Sequence, residues 1–134
     1  MAGETDLGKL LGGMRPRLNP GEYVFTTIEG SATPDGVRPV VTVVEDEGLT
    51  LVLRRDEADR AGIGYEFVAG WITLNVHSAL EAIGLTAAVA DALTRIGLSC
   101  NVVAGFYHDH IFVPHARAAE AVIALKRLAA DAER

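Results

Sequence analysis

The spacing of apolar residues changes between Gly70 and Leu128, and this change limits the fold more than any single motif does. Residues 71–77 alternate apolar with polar side chains, which is the period of a strand with one buried face. Residues 86–96 instead carry apolar side chains three and four positions apart, which is the period of a helix with one buried stripe. Gly97 follows directly and is typical of the position after a helix end. The stretch therefore opens with a strand and a helix.

Two short apolar runs come next, at 98–106 and 111–113, with the turn Tyr107-His108-Asp109 between them. A tight connection between two such runs predicts a hairpin. A second helical stripe then spans residues 118–128. The order strand, helix, strand, strand, helix predicts an α+β fold in which both helices cover the apolar face of a small sheet.

The first 68 residues have shorter elements, with more turn-forming residues between them. Their pattern predicts these elements: a helix at 7–11 with Asp6 as its N-cap, a loop at 15–21, strands at 22–29, 40–44 and 49–53, a helix at 56–61 and a strand at 65–68. The loop is predicted because Pro16 and Pro20 interrupt both helices and central strands.

A weak internal repeat relates the two halves of the chain. Residues 51–61 and 111–121 both run from a strand through a two-residue joint into a helix with alanines three apart. In the same alignment the strand at 22–28 corresponds to the strand at 71–77, but a turn-rich loop replaces the helix that should follow it. Because no linker separates the halves, we expect them to pack as one rigid unit.

Three segments of the second half resemble the ACT domain, a small ligand-binding regulatory module. They are the helix start Gly84-Leu85-Thr86, the turn at 96–102 and the hairpin at 107–114. The resemblance is to ACT domains that occur as tandem pairs in small bacterial proteins of unassigned role, which are related to the ACT modules of arginine sensors. It implies ferredoxin-like tandem ACT domains of the βαββαβ type, with helices on one face of a mostly antiparallel sheet. Residues 1–64 would form a degenerate ACT-like half and residues 65–134 a complete one.

One strand of that pattern is missing from the second half. An ACT domain usually carries a fourth strand after its last helix, and no strand pattern follows residues 118–128. We expect this edge strand to come from the amino-terminal half or from a second subunit.

The resemblance also implies a ligand site where the first strand of the second half ends and its first helix begins. The candidate ligand-binding residues are His77, Ser78, Gly84, Leu85, Thr86, Asn101 and Asp109. Free backbone N–H groups and the positive end of the helix dipole attract a carboxylate at such a place, and a glycine lets a ligand approach the backbone closely. The alternative is that Gly84 only permits the turn, Ser78 only ends the strand and Asn101 only faces solvent.

Other kinds of site find little support. His108-Asp109-His110 carries side chains that could bind zinc, but it spans a predicted turn in which Asp109 more simply bonds its own backbone, so no metal site is expected. Cys100 lies on a predicted buried strand and is expected to act as a small apolar residue. We expect no catalytic residues and no cofactor, since no nucleophile, base and orienting group occur at a recognisable spacing.

Charge and composition limit which classes of partner and which cellular compartment are expected. The net charge is −6 and the basic residues do not cluster, which argues against nucleic acid as a partner. No apolar run is long enough to span a bilayer, and the first 13 residues lack the pattern of an export signal. The single cysteine excludes an intrachain disulfide. We therefore expect a cytoplasmic protein that does not bind membranes.

Together, these observations and the resemblance predict a non-catalytic regulatory or sensor module that binds a small molecule, an amino acid in view of the family, and that forms a homodimer. The alternative is a structural or protein-interaction ACT module without a ligand. An enzyme is the third hypothesis, raised by the four histidines and the many acidic residues.

Overall fold

The computed structural model describes residues 6–76 and 83–133. In these residues the chain forms α1 (Leu7–Gly13), β1 (Arg15–Leu18), β2 (Tyr23–Ile28), β3 (Val41–Glu45), β4 (Gly48–Arg54), α2 (Arg55–Ala61), β5 (Phe67–Asn75), α3 (Leu85–Arg95), β6 (Asn101–Ala104), β7 (Asp109–Pro114) and α4 (Ala118–Ala132). A 3-10 turn at His115–Arg117 leads from β7 into α4. None of the described helices combines the length and the apolar character needed to cross a membrane.

The seven described strands form one antiparallel sheet. Its order is β3-β4-β2-β5-β7-β6, and β1 pairs with β5 on the same edge as β2. β2 pairs with the first part of β5, from Phe67 to Ala69, and β1 pairs with the last part, from Ile72 to Asn75. The predicted hairpins are both present, as β3–β4 and as β6–β7.

Each half therefore receives a fourth strand from the other half. The start of β5 completes the set β2, β3 and β4, and β1 completes the set β5, β6 and β7. The edge strand of the second half thus comes from the amino-terminal half, which is one of the two sources left open above. The prediction of a loop at 15–21 is wrong for residues 15–18. Pro16 is tolerated in β1 because one side of an edge strand makes no ladder hydrogen bonds.

β5 is a single strand, whereas the sequence predicted two strands separated by Ala69-Gly70. Gly70 lies in the middle of β5 against the start of α4, and a Cβ atom at this position would be only 2.6 Å from the Cβ of Ala118. This glycine therefore marks a close approach of helix and sheet, and it does not end the strand.

The helices all pack on the same face of the sheet, as predicted. Val68, Ile72 and Leu74 of β5 point to this face, because alternate residues of a strand share a face. Val68 packs against the core beneath α2, formed by Val24, Val37, Leu49, Leu51, Leu53 and Ala58. Ile72 and Leu74 belong to the core beneath α1, α3 and α4. The other buried residues of that core are Leu10, Leu11, Met14, Leu85, Val89, Leu93, Leu98, Ile111, Val113, Ala118, Ala121, Leu125 and Ala129.

An aromatic cluster lies on the opposite, helix-free face of the sheet. It consists of Tyr23, Phe25, Phe67, Trp71 and Phe112, with neighbouring ring centroids 5.2 to 6.2 Å apart. Rings at these distances, in edge-on and stacked arrangements, add to the free energy of apolar burial. The cluster joins β2, β5 and β7 and therefore links the two halves on this face as well.

The first half has a loop at 29–40 where the second half has α3, as predicted. Val37 from this loop is buried in the core beneath α2 and occupies part of the space that a helix would cover. The outer strand β3 remains open to solvent, and the side chain of Val44 is 79% exposed.

Candidate functional site

The start of α3 is the predicted ligand-binding element, and Gly84 shapes it. Gly84 is the N-cap residue and has a φ of 98°, a left-handed conformation that residues with a Cβ disfavour. It packs against Leu7 of α1, whose Cδ2 would be 3.0 Å from a Cβ atom at this position. Because glycine supplies no capping side chain, the first backbone N–H groups of α3 are not capped from residue 84. An anion is favoured at such a helix end.

The neighbouring candidate residues differ in what they can offer a ligand. The side chain of Leu85 is buried in the core beneath α3, so that only its backbone can take part in binding. The side chain of Thr86 is exposed. His77 and Ser78 lie outside the described residues.

The prediction that Asp109 lies in the hairpin turn is wrong, because Asp109 begins β7 and pairs with Leu74 on β5 and Ala104 on β6. It lies near the end of β5 from which the chain continues toward α3. Since paired residues on neighbouring strands share a face, the Asp109 side chain lies on the face that the helices cover. Burial raises the pKa of the Asp109 carboxyl, while the charges of His110 and His108 oppose this shift by favouring the ionised form. Asp109 is thus a carboxyl group whose charge is costly unless a cation lies nearby.

Asn101 lies toward the other end of the sheet. It begins β6 opposite Phe112, and its Nδ2 donates a hydrogen bond of 3.4 Å to the Phe112 carbonyl oxygen. Because it shares a face with Phe112, its side chain is on the helix-free side. The structure therefore separates Asn101 from Asp109, which lies at the far end of β7 on the opposite face.

The turn between β6 and β7 holds a buried polar atom without a partner. Nδ1 of His108 is buried and has no hydrogen-bond partner in residues 6–76 and 83–133. The turn itself is closed by the Gly105 N–H, which donates to the His108 carbonyl oxygen at 2.9 Å. An unpaired buried nitrogen costs free energy, which a hydrogen bond from a ligand would offset. Since His108 directly precedes Asp109, this nitrogen belongs to the same end of the sheet.

A hydrogen-bonded network on the helix-free face was not predicted from the sequence. The indole Nε1 of Trp71 donates to Nδ1 of His110 at 3.1 Å, and Oγ1 of Thr73 lies 3.3 Å from the same nitrogen. Asn19 is buried and donates from Nδ2 to Oγ1 of Thr73 at 2.9 Å. Strand alternation placed Trp71 and Thr73 on one face, but their partner His110 could be identified only from the register of β5 with β7.

The Trp71–His110 hydrogen bond makes tryptophan fluorescence a reporter of His110. Burial lowers the pKa of His110 below its ordinary value of 6.5, and the charges of His108 and Arg17 lower it further, against the opposing effect of Asp109. Because Nδ1 accepts the indole N–H, protonation at that nitrogen breaks the bond. We expect the fluorescence of Trp71, the only tryptophan, to titrate with a midpoint below pH 6.5.

The free energy of unfolding should also depend on the protonation of His110. The unfolded chain takes up this proton at a higher pH than the folded chain, so the free energy of unfolding falls as the pH drops from 6.5 through the lower folded-state pKa of His110, and levels off below it. His110→Gln should abolish the fluorescence titration, whereas His115→Gln, at an exposed histidine, should retain it. A titration that survives His110→Gln contradicts the assignment.

Glu22 connects the two copies of the internal repeat, which sequence reasoning also missed. Arg55 and His115 occupy equivalent positions, each at the joint between a strand and a helix. Nη1 of Arg55 lies 2.9 Å from one carboxylate oxygen of Glu22, and Nδ1 of His115 lies 3.6 Å from the other. Arg55 also donates to the Tyr65 hydroxyl at 2.8 Å, and this bond together with Glu22 raises the pKa of Arg55. Because these side chains are partly exposed, the junction contributes little to stability.

Metal and thiol chemistry find little basis in the described part of the chain. No group of three or more histidine, cysteine and acidic side chains is placed there to hold a metal ion. Cys100 is half-buried, and this burial raises the pKa of its thiol, which disfavours the reactive thiolate.

Sequence models of the ACT domain match this chain twice, over residues 2–70 and 66–127. Among curated proteins no match is found. A solved structure of a protein of unknown function from Vibrio cholerae, described as a possible transport protein, is 48% identical, with 92% of this chain and 95% of that chain covered and a TM-score of 0.83.

Two more distant solved structures share the fold. A protein from Agrobacterium tumefaciens is 20% identical, with 87% of this chain and 89% of that chain covered and a TM-score of 0.64. The regulatory subunit of aspartate kinase from Thermus flavus is 12% identical, with 85% of this chain and 96% of that chain covered and a TM-score of 0.63. Since the family models together span nearly all of the chain, the protein belongs to the ACT domain family and carries two ACT domains in tandem.

Proposed function

We propose that the second half binds an amino acid at the start of α3 and that the chain is a non-catalytic regulatory module. The observation that carries this proposal is the start of α3 at Gly84, where the N-cap residue offers no side chain to the first N–H groups. Asp109 and the unpaired nitrogen of His108 lie at the end of the sheet toward which the chain leaves β5 for α3. The fold shared with the regulatory subunit of an aspartate kinase supports a regulatory role.

The two charged groups of an amino acid match the two kinds of group at this end. Its carboxylate would accept hydrogen bonds from the backbone N–H groups of Leu85 and Thr86 and from the exposed hydroxyl of Thr86. Its ammonium would pair with the carboxylate of Asp109, whose charge is otherwise penalised by burial. Nδ1 of His108 offers one further hydrogen bond, and His77 and Ser78 remain candidate donors from the sequence.

Regulation would act through association of the halves. We infer a cytoplasmic homodimer in which residues 1–64 and 65–134 of each chain pack as ACT-like halves, with the amino acid held between such halves. A ligand that makes more contacts in one arrangement than in another shifts the population toward that arrangement by its difference in affinity.

A thermal-shift panel of the common L-amino acids tests this function. A ligand that binds the folded chain alone raises the melting temperature with its concentration. Asp109→Asn should weaken binding about tenfold, because the ammonium loses a charged partner. Asp46→Asn, at an exposed turn residue, makes the same change in net charge and should leave binding unaltered.

An unchanged melting temperature with every amino acid would support the alternative, a structural or protein-interaction ACT module without a ligand. If Asp109→Asn and Asp46→Asn weakened binding equally, the affinity would depend only on the net charge of the protein. That result would exclude the site at α3. Light scattering with and without the bound amino acid tests whether the ligand changes the balance between monomer and homodimer.

A further inference from the structure

A groove lies in the first half, apart from the start of α3. Its volume is about 730 Å³, which is within the range of small-molecule sites. Phe25 and Phe67 supply aromatic surface, Thr27 and Thr50 supply hydroxyl groups, and Glu45 and Glu66 supply carboxylates. No lysine or arginine is among the residues that the structure describes as lining it.

The register of the strands brings the phenylalanine and threonine side chains to the helix-free face. Phe25 pairs with Phe67, and Thr27 pairs with Thr50, so that each pair shares a face. The rings of Phe25 and Phe67 have centroids 5.7 Å apart, and both side chains are only partly buried. They form the open end of the aromatic cluster, whose inner member Phe112 is fully buried. Accessible ring surface is therefore present in the groove.

The groove carries two acidic groups, one of which is oriented by a neighbouring hydroxyl. Glu45 ends β3, and its carboxylate accepts a hydrogen bond from the hydroxyl of Thr50, which directs it across the strands within the groove. Glu66 directly precedes β5 and lines the same groove. Two carboxylates beside an aromatic floor repel an anion and attract a cation.

We propose that this groove binds a small organic ammonium compound with an apolar body. The apolar body would pack on Phe25 and Phe67, and the cation would meet the carboxylates of Glu45 and Glu66. Ring faces attract cations, and the hydroxyl of Thr27 can accept a hydrogen bond from an ammonium group. This chemistry differs from that proposed for the start of α3, where backbone N–H groups favour a carboxylate, so the two sites select different ligands.

Backbone amide titrations by NMR with three matched probes test the proposal on the full chain. The probes are 2-phenylethylammonium, its neutral counterpart 2-phenylethanol and the anion 3-phenylpropanoate. We expect the ammonium probe to shift the amide signals of Thr27, Thr50 and Gly64 and to leave those of α3 in place. The alcohol should bind at least about tenfold more weakly, because it lacks the charge.

Variants of the same shape without the charge test whether the carboxylates of the groove attract the ammonium probe. Glu45→Gln and Glu66→Gln should each weaken binding of the ammonium probe about fivefold. Glu47→Gln removes an equal charge from an exposed turn residue outside the groove lining and should have no such effect. The proposal is overturned if the alcohol binds as well as the ammonium, if the shifts map to another surface, or if Glu47→Gln weakens binding as much as Glu45→Gln does.

Discussion

A Gly70→Ala variant should have a free energy of unfolding about 2 kcal/mol lower than the unmodified chain, because it overpacks a buried contact. A Cβ atom at Gly70 would be 2.6 Å from the Cβ of Ala118 and 3.8 Å from the Cα of His115. Ala118 is buried at the start of α4, so its methyl group has no flexible end that can move aside. Either α4 or β5 must shift. Equilibrium urea denaturation followed by the fluorescence of Trp71 measures the loss.

Two matched variants separate this clash from a general effect of adding a methyl group. Gly64→Ala places its Cβ in open space, with no described atom beyond its chain neighbours within 4 Å, and should change stability by less than about 0.5 kcal/mol. The double variant Gly70→Ala/Ala118→Gly removes the opposing methyl group and should recover about 1 kcal/mol, since neighbouring sites couple. A Gly70→Ala loss no larger than that of Gly64→Ala would contradict the close approach of α4 to β5.

Leu10→Ala should cost about 3 kcal/mol, the usual scale for truncating a fully buried leucine. Leu10 has no exposed surface and packs in the core beneath α1, α3 and α4, although it lies more than fifty residues before β5 in the chain. The reason is that α1 and β1 complete the second half, so removing this side chain leaves a cavity there. The measurement is again urea denaturation, with hydrogen exchange to locate the effect.

The location of the loss distinguishes this arrangement from a simple amino-terminal appendage. We expect Leu10→Ala to reduce amide protection mainly in β5, β7 and α4, with β3 and β4 less affected. Val44→Ala, at a side chain that is 79% exposed on β3, should change stability by less than about 0.5 kcal/mol. A Leu10→Ala effect as small as that of Val44→Ala would exclude α1 from the core of the second half.

The elements of the second half were predictable because their signals are local. The apolar stripe at 86–96 predicts a helix, and α3 spans Leu85–Arg95. The residues around Tyr107 predict a hairpin, and β6 and β7 pair there. The absence of a helix at 29–40 was equally visible, because turn-forming residues fill that stretch.

The errors at Pro16 and Gly70 have one physical origin. Pro16 and Gly70 are poor strand residues by local preference, yet both lie in strands because each has a particular tertiary environment. Pro16 is on an edge strand, and Gly70 makes room for Ala118 of α4. Local preference cannot reveal either condition, since the partner in each case is distant in sequence.

The candidate site likewise has one part that the sequence predicted and other parts that depend on the tertiary structure. The helix start at Gly84 could be predicted from the sequence, because a glycine before a helical stripe allows the turn into the helix. Ligand binding there stays a prediction. The burial of the Leu85 side chain, the separation of Asn101 from Asp109 and the bond between Trp71 and His110 depend on which face each strand turns to its neighbours. Strand register determines that, and register was not in the sequence pattern.

The sequence by itself determined the periods of the helices and strands, their order and the family to which they point, since these depend on side chains a few positions apart. Only the tertiary structure decided that β1 closes the sheet of the second half and that β5 serves both halves. The physical reason is that backbone N–H and C=O groups at a sheet edge need partners but do not specify which segment supplies them. That choice depends on how α1 and α4 pack together over the sheet of the second half.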